Sequence, residues 1–253
     1  MLLRSKLAAS GIHFLLSLAV FSVFVLVLLL RWFPEPYFTA SGGIQGLKLV
    51  VLVDLVLGPT LTFVAFSPTK PRSELMRDLS FIALLQISAL VWGIYAMHSQ
   101  RPLAIVFWDN SFYTVPQQAL GKHYADDPGY RDLVRHPRQL IFAEKPLTLE
   151  DHESLLKRVN ELDLPPHHQL ELYRPFADGF DFAKQAQVDI QEITSRNTDM
   201  AGQLDKLLQQ TGQTIDALVF LPLKSRYRNI VLVFDNRGKT LGYIEAPLKD
   251  RPE

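Results

Sequence analysis

The chain has 253 residues, with 26 basic and 26 acidic side chains and no cysteine. The neutral total argues against nucleic acid as a partner, and the lack of cysteine excludes a disulfide framework, a thiol nucleophile and an iron–sulfur site. The charges divide unevenly: residues 1–98 carry seven Lys/Arg and four Asp/Glu, whereas residues 99–253 carry nineteen and twenty-two. This division predicts a membrane part (1–98) followed by a mildly acidic domain (99–253) with its own core.

Three apolar stretches are long enough to span a bilayer, because about 20 helical residues cross a hydrocarbon core roughly 30 Å thick. They cover residues 11–33, 46–66 and 79–98. The first could instead be a signal peptide, but it is longer than a signal h-region of roughly 7–15 residues. Arg31-Trp32 directly after the leucine run also resembles an interfacial anchor rather than a cleavage site. We therefore predict three transmembrane helices.

The basic residues of the short loops predict the orientation of these helices. They lie before the first span and between the second and third, and comprise Arg4, Lys6, Lys70, Arg72 and Arg77. Since cytoplasmic loops carry the excess of Lys and Arg, we expect the N-terminus in the cytoplasm and everything after His98 on the opposite side.

The second span contains an acid, Asp54, near its middle, followed by Gly58-Pro59. A carboxylate at that depth costs roughly 2.5–3.5 kcal/mol on insertion scales, so it must face a partner or a protein interior. Two interpretations remain open: a carboxyl group neutralised or hydrogen-bonded inside the helix bundle, or a contact to a partner's transmembrane helix or proton site. A proton pathway normally needs several ionisable groups in series. Because only Asp54 lies at this depth, proton transport is less favoured than a contact to a partner's helix. Pro59 removes a backbone donor and Gly58 permits close approach, which predicts a kinked, closely packed helix.

Two further polar residues in the spans are interpreted as helix packing. Gln86 in the third span could hydrogen-bond Asp54, and His13 lies near the cytoplasmic end of the first span, where a satisfied interfacial histidine is expected.

Three segments together resemble the TfpX/TfpZ type IV pilin accessory proteins. They are SGGIQGLKLVVLVDLVLGPTLTFVAFSPTK at 41–70, GIH at 11–13 and PLAIVFWDNSFYTV at 102–115. The resemblance implies an inner-membrane protein of Gram-negative bacteria. Together with the three spans and the orientation above, this places the C-terminal domain in the periplasm. The resemblance also implies association with a type IV major pilin and an effect on how pilin subunits enter or leave the pilus. It supplies no catalytic residue.

A major pilin in the bilayer is a single apolar helix with a soluble head outside, and three spans plus an external domain could contact both parts. On this hypothesis the partner-binding residues of the second span are Asp54, Leu57, Gly58, Pro59 and Leu61. The alternative is an envelope sensor or a structural subunit of another membrane complex, with a periplasmic domain that binds a peptide or a glycan.

The soluble part is predicted to be an α+β domain built on an antiparallel sheet. Asp109-Asn110 and Asn236-Arg237-Gly238 are turn signals between β-rich runs, and Thr148 begins a capping box for a helix to Leu162. We expect a linking region at 121–137 and helix breaks near Pro175 and near Asp178-Gly179. The last hairpin is expected to pair beside residues 103–115.

No sequence motif predicts an enzyme, a metal site, a cofactor or a small-molecule substrate. G-x-S-x-G, H-E-x-x-H, P-loop and G-x-G-x-x-G motifs do not occur. His167-His168 lacks zinc-ligand spacing and is expected in a solvated loop. Asp126-Asp127 is expected to form an ordinary turn, because Pro128 and Tyr130 replace the alternating ligands of a calcium loop.

Overall fold

The computed structural model describes residues 2–249 and forms two compact units. The membrane unit contains the residues up to 38 together with 42–99, and the soluble unit contains 39–41 and the residues from 100 onward.

Three helices of the membrane unit are long and apolar enough to cross a membrane, which confirms the prediction of three such helices; they cover Leu2–Trp32, Gly43–Ala65 and Arg72–Ser99. Two of them contain π-helical segments, in which the backbone bonds reach five residues back. In chain order the elements are α1 (Leu2–Val27), a π-helical turn (Leu28–Trp32), α2 (Tyr37–Ala40), α3 (Gly43–Val50), a π-helical segment (Val51–Leu57), α4 (Gly58–Ala65) and α5 (Arg72–Ser99).

The soluble unit has six helices of at least six residues and one sheet within the described part of the chain. The helices are α6 (Gln117–Tyr124), α7 (Pro128–Arg135), α8 (Leu149–Leu162), α9 (Phe176–Ala183), α10 (Ile190–Ser195) and α11 (Thr198–Thr211). The strands are β1 (Pro102–Trp108), β2 (Ser111–Pro116), β3 (Gln139–Ala143), β4 (Tyr173–Pro175), β5 (Leu218–Lys224), β6 (Arg228–Asp235) and β7 (Thr240–Leu248). The predicted α+β class is confirmed, but the region 121–137 contains the end of α6 and all of α7 rather than a plain linker.

The sheet has the strand order β4-β3-β1-β2-β5-β6-β7 and is mixed, not antiparallel throughout. The pairs β1–β3 and β2–β5 are parallel. Between β1 and β3 the antiparallel strand β2 brings the chain back to the starting end of the sheet, whereas between β2 and β5 the chain passes through β3, β4 and the helices α6 to α11. The last hairpin, β6–β7, is therefore separated from β1–β2 by β5, contrary to the expectation that it lies directly beside them.

The local turn and cap predictions are confirmed. Asp109 and Asn110 have φ values of 45° and 67°, and Gly238 has φ 81°, as tight hairpin turns require. The Thr148 hydroxyl oxygen accepts from the Asp151 amide and caps α8, which ends at Leu162 as predicted.

The predicted helix break at Asp178-Gly179 is wrong, because both residues lie inside α9. A Cβ added at Gly179 would overlap the ring of Phe142 on β3. The glycine thus allows α9 to approach the sheet closely, next to a cluster of aromatic rings. This aromatic core contains Phe107, Phe112, Phe142, Phe176, Phe180, Phe182 and Phe234.

Strand β7 forms one edge of the sheet, and a side chain of α11 occupies part of that edge. The Glu245 amide donates to Gln203 Oε1 at 2.8 Å, and Gln203 Nε2 donates to the Glu245 carbonyl at 3.1 Å. The glutamine amide therefore pairs with β7 as a neighbouring peptide group would. The Glu245 carboxylate also pairs with Arg228 on β6.

Candidate functional site

The three helices of the membrane unit enclose a groove of about 590 Å³. Its walls are mostly apolar, with a few polar side chains between them. The lining residues are Ala9, Ile12, His13, Leu16, Ser17 and Val20 from α1, Asp54, Thr62 and Phe66 from the second span and its end, and Leu79, Ala83, Gln86, Ile87 and Leu90 from α5. We call this the intramembrane groove.

Asp54 is the acidic residue of the intramembrane groove. Its side chain lines the groove although the residue is only 7% exposed. Within residues 2–249, no donor forms a hydrogen bond with its carboxyl oxygens: the Gln86 side chain donates to its backbone carbonyl, and the His13 ring interacts with its carboxyl group only electrostatically. A buried polar group without a hydrogen bond loses its hydration without compensation. Asp54 is thus a nearly buried acid whose carboxyl group still needs a donor.

Gln86 satisfies the backbone of Asp54 rather than its side chain. The Gly58 amide donates to the carbonyl of Val53, so it continues the π-helical pattern. The next donor in that pattern would come from residue 59, which is proline and has no N–H. The carbonyl of Asp54 would be left unpaired, and Gln86 Nε2 donates to it at 3.3 Å. The expected contact between the two residues is present, but it leaves the carboxyl group free.

A second set of polar contacts joins α1 to α4. His13 Nδ1 and Thr62 Oγ1 are 2.6 Å apart, and the Ser10 hydroxyl donates to the Pro59 carbonyl at 2.8 Å. Side-chain hydrogen bonds of this kind hold neighbouring helices together in lipid. The structure accordingly places His13 and Gln86 at helix contacts. Ser10 and Thr62 were missed, because single hydroxyl residues in apolar runs carry no distinctive signal.

The five residues predicted to bind a partner divide between two faces of the second span. Asp54, Gly58 and Pro59 are buried against the other helices, and a Cβ added at Gly58 would overlap the Gln86 amide. Leu57 and Leu61 are 45% and 39% exposed and do not line the groove. The residues thus define two alternative surfaces: the groove and the outer face of the span.

The soluble unit has a cleft of about 740 Å³ whose polar groups are largely paired with each other. The Tyr124 hydroxyl donates to Glu171 Oε2 at 2.7 Å, and Arg158 lies 3.4 Å from the same carboxylate oxygen. Burial, and then the Glu171 carboxylate, raise the pKa of Tyr124. These contacts connect α6, α8 and the segment before β4.

The expectation that His167-His168 lies in a solvated loop is wrong. Both residues are half-buried in a short 3₁₀ turn, Pro166–His168, and the His167 ring stacks on Tyr113 with a centroid separation of 4.5 Å. Burial, followed by the neighbouring His168, lowers the pKa of His167 to about 3, and burial lowers the pKa of His168 to about 4. Both rings are therefore neutral near pH 7.

Asp126-Asp127 forms a helix start: Asp127 Oδ1 accepts from the Gly129 amide and caps α7. Over residues 2–249, the structure contains no group of three or more His, Asp or Glu side chains placed to hold a metal ion.

Comparison with known proteins relates the chain to fimbrial assembly proteins. Residues 2–42 match the family described as fimbrial assembly protein FimB. Over 98 residues, or 39% of this chain, the sequence is 39% identical to the fimbrial assembly protein of serogroups C1 and C2 from Dichelobacter nodosus, covering 75% of that protein. The serogroup I and E1 proteins of the same organism are 39% and 38% identical over 98 residues.

The chain spans only 38% of the length of the serogroup I and E1 relatives. No solved structure matches the chain. The 75% coverage of the serogroup C1 and C2 protein at 39% identity is sufficient to assign the family. This chain belongs to the family of fimbrial assembly proteins.

Proposed function

We propose that this protein is an inner-membrane accessory protein of the TfpX/TfpZ type that binds the major pilin of a type IV pilus and modulates its assembly into, or removal from, the pilus. Membership in the fimbrial assembly family carries this proposal. The three apolar helices support a membrane location, and the intramembrane groove offers a surface on which another transmembrane helix could pack. Neither unit has a catalytic role in this proposal.

The proposed orientation places the N-terminus in the cytoplasm and the soluble unit in the periplasm. It is supported by the Lys and Arg residues at the start of α1 (Arg4, Lys6), between α4 and α5 (Lys70) and at the start of α5 (Arg72, Arg77), because the positive-inside rule applies near the ends of membrane spans joined by short loops. The chain contains no cysteine, so a single introduced cysteine reports one position without background.

The orientation is tested by labelling Lys145→Cys in the soluble unit and Thr69→Cys in the loop between α4 and α5. A membrane-impermeant maleimide should label the first in intact spheroplasts and the second only after the inner membrane is permeabilised. The opposite pattern would place the soluble unit in the cytoplasm and would contradict the proposal.

The pilus function is tested by deleting the gene and measuring surface pili, twitching motility and the level of membrane pilin. We expect fewer or altered surface pili with pilin still present in the membrane, and restoration by the full-length chain. If piliation is unchanged and the purified protein carries a different membrane complex, the protein is an envelope sensor or a structural subunit instead.

A further inference from the structure

We propose that the intramembrane groove receives a transmembrane helix of the partner and that this helix brings a hydrogen-bond donor to Asp54. The identity of the helix as that of the major pilin rests on the proposed function. The choice of the groove over the outer face of the second span, and the chemistry of recognition at Asp54, come from the geometry of the membrane unit.

The first argument is the unpaired carboxyl group. Asp54 lies in the groove and is 7% exposed, so neither water nor headgroups can replace its lost hydration fully. Of the nearby polar side chains, Gln86 Nε2 donates to a backbone carbonyl and His13 Nδ1 contacts Thr62; the His13 ring interacts electrostatically with Asp54 but forms no hydrogen bond with its carboxyl group. A donor supplied from outside the chain would satisfy the acid, whether the donor is a cationic amine or a neutral hydroxyl or amide.

The second argument is the shape and composition of the walls. On α1, the wall residues Ile12, Leu16 and Val20 recur every four positions, so they form one continuous face. Along α1 the groove extends over eleven residue steps, from Ala9 to Val20, or roughly 16 Å, which is about three helical turns. Small residues in the lining, Ala9, Ser17 and Ala83, permit close approach of a second helix.

Chemistry distinguishes a helix from a lipid chain in this groove. An acyl chain could cover the apolar walls, but it carries no hydrogen-bond donor and would leave the Asp54 carboxyl group unpaired. The outer face at Leu57 and Leu61 is apolar and accessible, but it lacks this polar group. A helix that docks in the groove can therefore donate a hydrogen bond to Asp54, whereas a helix on the outer face meets no such acceptor.

The experiment is site-specific photocrosslinking in cells that contain the full-length protein and the major pilin. Photoreactive residues at Leu16 and Ile87, which are 65% and 59% exposed, report the groove. Matched probes at Leu57 and Val64, which are 45% and 68% exposed, report the outer face. We expect pilin adducts from the groove probes and few or none from the outer probes.

Variants of Asp54 test the proposed donor. Asp54→Leu should lower the yield of pilin adduct from Leu16 roughly threefold or more, because interhelical hydrogen bonds in membranes are worth about 0.6 kcal/mol on average and up to about 1.7 kcal/mol. Asp54→Asn retains an acceptor oxygen and should lose less. Quantitative blotting of each variant in the membrane separates loss of contact from loss of protein, and Val64→Ala serves as a matched control on the outer face.

The outcomes separate this inference from the proposed function. If pilin is captured from Leu57 or Val64 but not from the groove, the docking inference is wrong while the pilin function stands. The inference also fails if the groove probes capture only lipid or a second copy of this chain, or if Asp54→Leu leaves the adduct yield unchanged at normal protein level. Normal piliation of the deletion strain would instead reject the function itself.

Discussion

The two units bury apolar side chains to very different degrees. In the soluble unit, Phe107 and Phe112 are completely buried in the aromatic core. In the membrane unit, Leu16 and Phe81 are 65% and 69% exposed. Apolar burial removes surface from water in the first unit, whereas lipid solvates such surface equally well in the second. The few polar contacts of the membrane helices therefore have a larger part in specifying how those helices pack.

The largest expected difference is between two phenylalanines. Phe112→Ala should lower the free energy of unfolding of the soluble unit by about 3–5 kcal/mol, because it removes a fully buried ring from the aromatic core. Phe81→Ala in the membrane unit should have little effect, since that side chain faces out of its unit. Pulse proteolysis of both variants in urea measures the difference; equal losses would contradict the comparison.

Two glycine-to-alanine substitutions, one in each unit, should have smaller effects than the loss of a buried phenylalanine. Gly179→Ala should destabilise the soluble unit by about 1–3 kcal/mol, because the added methyl group overlaps the rigid Phe142 ring. Gly58→Ala meets only the flexible end of Gln86, which can rotate away at the cost of its bond to the Asp54 carbonyl. We therefore expect a smaller loss in the membrane unit. The control is the Gly179→Ala/Phe142→Leu double variant, in which the smaller side chain should recover part of the loss in a proteolysis assay.

Two glutamines that bind backbone groups provide the next test. Gln203→Leu removes both bonds to Glu245 on β7 and should cost about 1–2 kcal/mol. Gln86→Leu removes one long bond inside the membrane unit and should cost about 0.6 kcal/mol. Unfolding of each purified variant in detergent, monitored by protease resistance of its own unit, checks the order. If Gln86→Leu costs more than Gln203→Leu, the Gln86 hydrogen bond stabilises the π-helical segment more than an average interhelical hydrogen bond stabilises a membrane protein.

At pH 7 the half-buried histidines of the soluble unit change its stability least of all these groups, and their effect appears only on acidification. Folding lowers the pKa of His167 from 6.5 to about 3 and of His168 to about 4, so between these values and 6.5 the unfolded chain binds more protons than the folded one. The free energy of unfolding therefore falls as the pH drops below 6.5. Each histidine contributes up to about 1.4 kcal/mol per pH unit, over the range in which it is protonated in the unfolded chain and neutral in the folded one. Below the folded pKa values there is no further loss.

His167→Gln should reduce this acid sensitivity of the soluble unit, which urea unfolding between pH 7.5 and 5 would measure. The unsubstituted chain, measured in parallel, provides the reference slope. An unchanged slope for His167→Gln would mean that the ring becomes accessible before the unit unfolds.

Local chemistry was more predictable from sequence than long-range pairing. The Asp109-Asn110 turn and the Thr148 cap depend on neighbouring residues, so short motifs identified them. The position of β5 between two hairpins depends on crossovers through several helices, and no local signal contains it. His167 illustrates the same limit, because its burial depends on Tyr113, which is far away in the sequence.

The candidate site was predictable in part. Asp54 could be singled out because an acid in an apolar span is energetically costly. The Gly58-Pro59 pair likewise indicated close helix packing. The target of Gln86 was not predictable, because it depends on which backbone carbonyl loses its donor in a π-helical turn. The division of Leu57 and Asp54 between two faces likewise depends on the rotation of the span against its neighbours.

The π-helical segment Val51–Leu57 also fixes how the two halves of the second span are aligned. A π turn holds more residues than an α turn, so the helix after it is rotated relative to an unbroken α-helix. Before the segment, Val50 packs with Phe24 and Leu28; after it, Thr62 contacts α1. If the same seven residues adopted α geometry instead, each would turn the chain by more than it does in the π form, and the half after the segment would be rotated against the half before it. The π geometry of this segment thus lets both halves of the span meet their neighbours at once.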